Sequence, residues 1–147
     1  MLSQKEIDEL LEILKHIEYD QSMFAFPQKG EKEVLTAYSL DKRTMFLIDI
    51  TPGKSRNNKI SFQERYKKDV ILLRLDMNGP PHTNPDGEKL SGNHLHIARE
   101  GYDDRFAIEV PERLIDEKNR LRTLINFLEY CKIDNPDFAS FEMELIT

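Results

Sequence analysis

The sequence predicts an α+β fold in which a mostly antiparallel sheet of five or six strands carries an N-terminal and a C-terminal helix on one face. Apolar residues recur at helical spacing near each end of the chain, and between these segments the period falls to two residues over several consecutive runs. Because short turns join the runs and no crossover helix separates them, neighbouring strands are expected to be antiparallel. The length of 147 residues suits a single domain, 1–147.

The first helix is predicted from Ser3 to Ile17. Ser3 and Glu6 have the spacing of a capping box, in which each side chain satisfies a free backbone N–H of the other residue. An apolar stripe at helical spacing follows: Ile7, Leu10, Leu11, Leu14 and Ile17. Beyond the helix lie a short apolar cluster of Met23, Phe24 and Phe26, which ends at Pro27, and a turn at 28–30.

Six runs have the two-residue period of half-buried strands: Val34–Tyr38, Met45–Ile50, Lys59–Tyr66, Val70–Met77, His94–Arg99 and Phe106–Val110. The polar residues 41–44 between the first two runs indicate a hairpin. The fourth run is unusual because it places Arg74 and Asp76 together on the face opposite its apolar residues. A guanidinium on a central strand needs a partner, and Asp76 is the nearest candidate.

The second helix is predicted from about Glu117 to Cys131. Its apolar stripe consists of Leu114, Leu121, Leu124, Ile125 and Leu128. The last stretch, 138–147, alternates apolar and acidic residues, which indicates either an edge strand or a loosely attached tail.

Composition excludes several classes of protein. The chain has 21 basic and 27 acidic residues, a net charge of −6, which argues against a protein that coats nucleic acid or an anionic membrane. Residues 54–74 nevertheless contain seven basic and two acidic residues, a local charge of +5 that leaves −11 elsewhere. A small basic surface is therefore compatible with the acidic average.

The cellular setting follows from the cysteine count and from hydropathy. The single cysteine, Cys131, excludes an intrachain disulfide framework and fits a reducing compartment. No apolar run approaches the ~20 residues of a membrane span, and the N-terminal segment is acidic where a signal peptide would be basic. We expect a cytoplasmic protein with no membrane contact.

Three of the four histidines, His82, His94 and His96, lie within fifteen residues. Between them, Asn84-Pro85-Asp86-Gly87 has the residue order of a tight turn. Such a turn folds the segment carrying His82 back beside the strand carrying the other two histidines, whose side chains project to the same face because they are two residues apart. The three imidazoles are expected to be neighbours.

Neutral imidazoles grouped in this way suit a divalent transition metal. A strand-borne His-x-His pair with a third histidine or a carboxylate supplies three positions of a tetrahedral or octahedral shell. On this hypothesis the ligands are His82, His94, His96 and Glu100, with Asp86 and Asp76 as further candidate carboxylates.

A second hypothesis uses the same histidines without a metal, as general acid and base in the cleavage of RNA. Histidine has a suitable pKa near neutral pH, and a phosphodiester transition state also requires cationic groups. His82, His94, His96 and Arg74 would then be catalytic, while Arg65 and Lys59 would bind phosphate.

Two interpretations without chemistry stand beside these. The histidines can simply face solvent, or bond carbonyl groups and stabilise the turn. The acidic balance outside 54–74, with Glu6, Asp8, Glu9 and Glu12 on the first helix, fits a protein-interaction module that binds a host or phage protein.

Finally, the region around the histidines resembles a small family of proteins from bacteriophages, prophages and other mobile elements. The resemblance lies in Leu73-Arg74-Leu75-Asp76, Gly79-Pro80-Pro81-His82-Thr83-Asn84-Pro85-Asp86-Gly87, Gly92-Asn93-His94-Leu95-His96 and Glu100-Gly101. It implies a setting in the bacterial host cytoplasm and an accessory role, such as a toxin-like or host-modulating protein. It assigns no catalytic residue.

Overall fold

The structure, a computed structural model, describes residues 1–18, 24–54 and 58–134. It contains two helices, α1 (Gln4–Glu12) and α2 (Arg120–Tyr130). Its ten strands are β1 (Lys15–Ile17), β2 (Glu33–Ser39), β3 (Met45–Pro52), β4 (Ile60–Tyr66), β5 (Val70–Met77), β6 (His82–Thr83), β7 (Lys89–Leu90), β8 (His94–Ile97), β9 (Ala107–Glu109) and β10 (Ile133–Asp134). The predicted α+β class, with two helices and a mostly antiparallel sheet, is confirmed.

Eight strands form one sheet in the order β10-β1-β2-β3-β4-β5-β8-β9, and β6 and β7 form a separate hairpin. All six predicted runs contribute a strand to the large sheet, and their neighbours are antiparallel as expected. The predicted number of five or six strands is wrong because β1 and β10 extend the sheet beyond β2. They are parallel to each other, and each is too short to show a two-residue period.

Helix α1 begins as predicted and ends earlier. The capping box is present: the Ser3 hydroxyl accepts from the Glu6 N–H, and the Glu6 carboxylate accepts from the Ser3 N–H. The prediction that the helix reaches Ile17 is wrong, since Ile13 is already extended with φ −67° and ψ 145°, and the chain enters β1. Leu14 and Ile17 match the helical period by coincidence, and Leu14 is exposed.

Helix α2 occupies most of its predicted range. It begins at Arg120, three residues later than expected, because the side chain of Asn119 accepts from the Arg122 N–H and acts as the N-cap. Its apolar stripe is buried as predicted. Neither described helix is long and apolar enough to cross a membrane.

One face of the sheet carries the hydrophobic core. Alternate residues of β3, β4 and β5 are buried there, including Ile48, Phe62 and Leu75. The Phe127 ring of α2 packs 6.0 Å from the Phe62 ring, and Ile7 of α1 belongs to the same core. Phe24 also joins it, whereas Met23 and the predicted tail at 138–147 lie outside the described residues.

An ion pair is buried on the core face. Lys15 Nζ of β1 lies 3.2 Å from Glu64 Oε2 of β4, and both side chains are fully buried. The same Nζ donates to the Cys131 carbonyl at 2.8 Å. Burial raises the pKa of Glu64 to about 7, against the opposing attraction of Lys15.

The opposite face of the sheet is polar where β3, β4, β5 and β8 cross it. Strand register places four polar residues side by side in each of two rows. One row is Thr51, Ser61, Asp76 and His94, and the other is Asp49, Gln63, Arg74 and His96. We call this surface the polar face.

Candidate metal centre

His94 and His96 lie at the β8 end of the two polar rows, and both are buried, with exposed fractions of 4% and 1%. His94 Nδ1 is 3.0 Å from the Gly92 carbonyl, and His96 Nδ1 is 2.8 Å from the Asp104 carbonyl. A carbonyl oxygen only accepts hydrogen bonds, so each Nδ1 carries the proton. In the neutral rings, each Nε2 is therefore left unprotonated, with a lone pair.

The β6–β7 hairpin brings His82 to the same place. The Gly87 N–H donates to the Asn84 carbonyl at 2.9 Å, which closes the predicted turn, and Gly87 has the positive φ of +93° that favours glycine. The Asn84 side chain then pairs with the backbone of Ala107 in β9, accepting from its N–H and donating to its carbonyl, each at 2.8 Å. These two bonds attach the hairpin to the edge of the large sheet.

The three imidazoles are neighbours. The His82 ring centroid lies 5.4 Å from that of His94 and 4.6 Å from that of His96, and the last two are 5.0 Å apart. His82 Nε2 donates to the Arg105 carbonyl at 2.9 Å, which leaves its Nδ1 without a proton in the neutral ring. One ligand nitrogen from each ring lies within 4.8 Å of the other two. We call these three residues the histidine cluster.

Asp76 completes the group. Its Oδ2 lies 3.2 Å from His96 Nε2 and 3.5 Å from His94 Nε2, and its Oδ1 accepts from the Ser61 hydroxyl at 3.0 Å. Partial burial tends to raise the pKa of this carboxyl. When the His96 ring carries a proton on Nε2 as well as on Nδ1, its hydrogen bond to Asp76, the charges of Arg74 and His96, and the Ser61 hydroxyl outweigh that tendency and lower the pKa to about 2.

Arg74 stands between the carboxylates and the histidines. Its Nε lies 3.2 Å from Asp76 Oδ1, which confirms the pairing that the strand pattern predicts. Its Nη1 donates to Asp104 Oδ2 at 2.6 Å, and its Nη2 lies 3.0 Å from His96 Nε2. Asp104 was not anticipated, because it lies in a turn between β8 and β9 where neither spacing nor periodicity distinguishes it.

The other candidate ligands lie elsewhere. Glu100 accepts from the Gln4 N–H at 3.2 Å, at the start of α1, and is not brought into the histidine cluster. Asp86 accepts from the Glu88 N–H at 3.0 Å within the hairpin turn. Asp76 is therefore the carboxylate that the structure places beside the imidazoles.

The two predicted phosphate-binding residues have different surroundings. Arg65 is paired with Asp49 through two of its nitrogens, with Nη2 at 2.8 Å from Oδ1, and its Nη1 donates to the Lys68 carbonyl. Burial tends to raise the pKa of Asp49, but its bonds to Arg65 and Gln63 lower it overall. Arg65 and Arg74, two of the seven basic residues in 54–74, are thus paired with acids outside that segment.

Lys59 lies along an open cleft of about 650 Å³ on the polar face. Its side chain runs close to Gly53 and Gly79, where an added Cβ would come within 3.1 Å and 3.4 Å of it. The cleft shares Arg74 and Asp76 with the histidine cluster. We call it the Lys59 cleft, and its lining is Thr51, Gly53, Lys54, Lys59, Ser61, Arg74 and Asp76.

Comparison with known proteins gives a family match. No curated protein and no solved structure matches the chain. A family model described as "Family of unknown function (DUF6978)" matches residues 2–133, a range that includes every residue of the histidine cluster.

Proposed function

Because the chain belongs to DUF6978, a family of unknown function, we propose a function from its own side chains: it binds a divalent transition metal through His82, His94, His96 and Asp76. The observation that carries this proposal is the direction of the ring nitrogens. His94 and His96 each use Nδ1 to donate to a backbone carbonyl and leave Nε2, with its lone pair in the neutral ring, beside Asp76, and His82 adds a third ligand nitrogen to the cluster. Metal-binding histidines are commonly oriented by a second bond of this kind.

The distances between Asp76 and two of the imidazoles fit such an ion. Two atoms that each lie about 2.0–2.2 Å from a tetrahedral zinc ion are about 3.4 Å apart. The separations of 3.2 Å and 3.5 Å between Asp76 Oδ2 and the two Nε2 atoms are close to that value. A carboxylate oxygen and an unprotonated ring nitrogen repel each other at this distance unless a cation or a proton lies between them. In the structure the Arg74 guanidinium contacts both His96 and Asp76, and a shared metal ion would take over this role.

Burial favours metal binding over direct acid–base catalysis by the histidines. A general acid or base must lie within hydrogen-bond reach of the substrate. His96 is only 1% exposed and His94 only 4%, and the Nε2 atoms of both face Asp76. A small ion can occupy that space, whereas a strand of RNA cannot.

For this centre we propose hydrolysis of a phosphodiester, such as that in a short RNA strand. A water oxygen forms the new bond to phosphorus, the bond to the leaving oxygen breaks, and the leaving alcohol takes up a proton. A divalent ion held by the four side chains would take a water as a fifth ligand, and it would then supply the activated water and polarise the phosphoryl group. The adjoining Arg74 and Lys59 cleft support an anionic substrate, and the resemblance to phage proteins supports a toxin-like accessory role.

Metal binding is tested with tag-free protein that has been treated with a chelator and then titrated with Zn²⁺ and Co²⁺. We expect one equivalent per chain, a Kd below about 1 μM, and the visible spectrum of tetrahedral Co²⁺. His96→Ala and the half-buried His82→Ala should each abolish stoichiometric binding. His16→Ala is the matched control, because His16 is an exposed histidine on β1 outside the cluster.

Folding of each variant is checked by circular dichroism, so that loss of binding is separated from loss of structure. Wild-type protein that binds no stoichiometric metal would contradict the proposal, as would binding that survives both cluster substitutions. The interaction module would be favoured instead by two results together. The protein would bind no metal, and it would bind a protein partner in a salt-sensitive way that charge reversal on α1 abolishes. Hydrolysis is tested with labelled RNA and metal-loaded protein, and we expect His82→Ala to abolish it.

A further inference from the structure

Arg74 occupies the bonding direction that a metal ion at the proposed centre would require. The neutral His96 ring has a single lone pair, on Nε2, and Arg74 Nη2 lies 3.0 Å from it. Arg74 Nε also lies 3.3 Å from Asp76 Oδ2, the oxygen that faces His94 and His96. One lone pair cannot bind a metal ion and accept an N–H at the same time. The guanidinium and the ion therefore compete for His96.

We infer that Arg74 is a displaceable counter-cation: metal binding releases it from His96 and Asp76, and it then joins Lys54 and Lys59 in binding the phosphate group of an ester in the Lys59 cleft. This inference rests on the proposed metal centre and names the class of substrate that the centre would act on. The Arg74 side chain would thus contact His96 and Asp76 before the metal binds, and the phosphate group afterwards.

The surroundings of Arg74 allow both positions. Its Nη1 is held at 2.6 Å by Asp104 Oδ2, an oxygen outside the proposed ligand set, so one bond can persist while the others are lost. The side chains of Arg74 and Asp104 are 28% and 22% exposed, and Arg74 already lines the cleft. In the proposed second position, the guanidinium keeps its Asp104 contact and turns its remaining N–H groups toward the cleft.

The charges of the cleft favour a phosphate. The lining contains Lys54, Lys59 and Arg74 and one acid, Asp76, whose charge a bound metal ion would neutralise, while Asp104 outside the lining pairs with Arg74. The hydroxyls of Thr51 and Ser61 add neutral donors, and the volume of about 650 Å³ is in the range of small-molecule sites. A guanidinium matches the geometry of phosphate oxygens and binds them with two N–H groups.

The test compares Arg74→Met with wild type in two titrations. In the first, Zn²⁺ affinity is measured by competition with a chelator. In the second, phenyl phosphate is titrated into metal-loaded and metal-free protein. We expect Arg74→Met to bind Zn²⁺ about tenfold more tightly, because the competing cation is gone, and to bind phenyl phosphate about tenfold more weakly. Metal-free wild type should also bind phenyl phosphate more weakly than metal-loaded wild type.

Two further variants define the sites. Lys59→Gln should weaken phenyl phosphate binding and leave Zn²⁺ affinity unchanged. Arg43→Met, an exposed arginine in the β2–β3 turn at the opposite end of β3 from Thr51, should alter neither affinity. Arg74→Gln replaces Arg74→Met if the latter does not fold.

The outcomes distinguish a failure of the Arg74 displacement from a failure of the proposed metal centre. Wild-type protein without a metal site would overturn both. A wild-type metal site whose Zn²⁺ affinity falls or stays constant in Arg74→Met would leave the metal centre standing and overturn the displacement. Phenyl phosphate binding that is indifferent to metal, or unchanged in Arg74→Met, would overturn the role of Arg74 in the cleft.

Discussion

At the scale of single residues, the buried pair of Lys15 and Glu64 places the strongest constraint on the core. Both side chains are fully buried, and Lys15 Nζ also lies 4.8 Å from the centre of the Phe46 ring. Neither Oε atom of Glu64 has a hydrogen-bond partner among the described residues, so the contact with Lys15 is its principal compensation. Each charge therefore depends on the other for its stability.

Replacement of Lys15 alone should destabilise the protein strongly. Lys15→Met leaves Glu64 buried without a counter-charge, and the loss of one partner of such a pair typically costs about 3–5 kcal/mol. Urea denaturation measures the change. The double variant Lys15→Met/Glu64→Leu should recover most of the loss, and Lys5→Met, at an exposed lysine of α1, should have little effect. Equal stability of the two lysine variants would show that the pair is unimportant.

Glu64 should also make stability depend on pH. Burial raises its folded pKa from 4.5 to about 7, so the native state retains a proton that the unfolded chain releases. This contribution to stability is complete below pH 4.5 and is lost as the pH rises toward 7. The difference in unfolding free energy between wild type and Glu64→Gln should therefore fall over this interval and level off above it. A difference that is flat or rises with pH would contradict the assignment.

Residue pairs were predictable only where the chain itself brings the partners together. Arg74 and Asp76 lie two apart on one strand, so their contact follows from the strand period. Asp104 reaches Arg74 from a turn thirty residues away. Lys15 could not be paired with Glu64 because the helical pattern included Lys15 in α1. Such contacts depend on tertiary packing, which local spacing does not encode.

At the scale of elements, the β6–β7 hairpin determines whether the histidine cluster forms. Its turn was evident from Asn84-Pro85-Asp86-Gly87, and so was the return of His82 toward His94 and His96. The second role of Asn84 was not evident, because an asparagine that starts a turn looks the same whether or not its side chain pairs with another strand. In the structure the Asn84 side chain is buried, accepts from the Ala107 N–H and donates to the Ala107 carbonyl.

Loss of the Asn84 side chain should affect the metal centre at a distance. Asn84→Ala removes both bonds and leaves the Ala107 N–H and carbonyl unpaired, at an expected cost of about 1–3 kcal/mol. His82 should then be held less firmly, and Zn²⁺ affinity should fall. The matched control is Asn126→Ala on α2, which removes two side-chain hydrogen bonds to the backbone carbonyls of Arg113 and Leu114. It should lower stability without changing Zn²⁺ affinity, and an equal loss of affinity in both variants would refute a specific role for Asn84.

At the scale of the whole molecule, the two faces of the sheet differ in role: one forms the hydrophobic core and the other carries the candidate site. Its core face joins both helices in one hydrophobic cluster, and its polar face presents the histidine cluster and the Lys59 cleft. The alternation along β4 and β5 predicted this division, since a two-residue period assigns each side chain to a face. The full extent of the sheet was not predictable, because β1 and β10 are defined by their pairing and not by their composition.

A metal ion that binds only the native state should stabilise the whole fold. At a free Zn²⁺ concentration a hundredfold above Kd, the expected gain is about 2.7 kcal/mol. Thermal unfolding should therefore shift upward with added Zn²⁺ in wild type and in His16→Ala, and not in His82→Ala. A shift of the same size in His82→Ala would indicate binding at another site.

The pairing of β1 with β10 also has a kinetic consequence. His16 and Asp134 are 118 positions apart and are joined by a hydrogen bond at 3.2 Å, so this edge of the sheet closes a loop that spans most of the chain. Closure of a long loop has an entropic cost that increases with its length, and contacts between distant segments slow folding. The meander from β2 to β5 involves only short loops. We therefore expect the transition state for folding to contain the meander but not the β1–β10 edge, with φ-values near zero at Ile133 and higher values at Phe62.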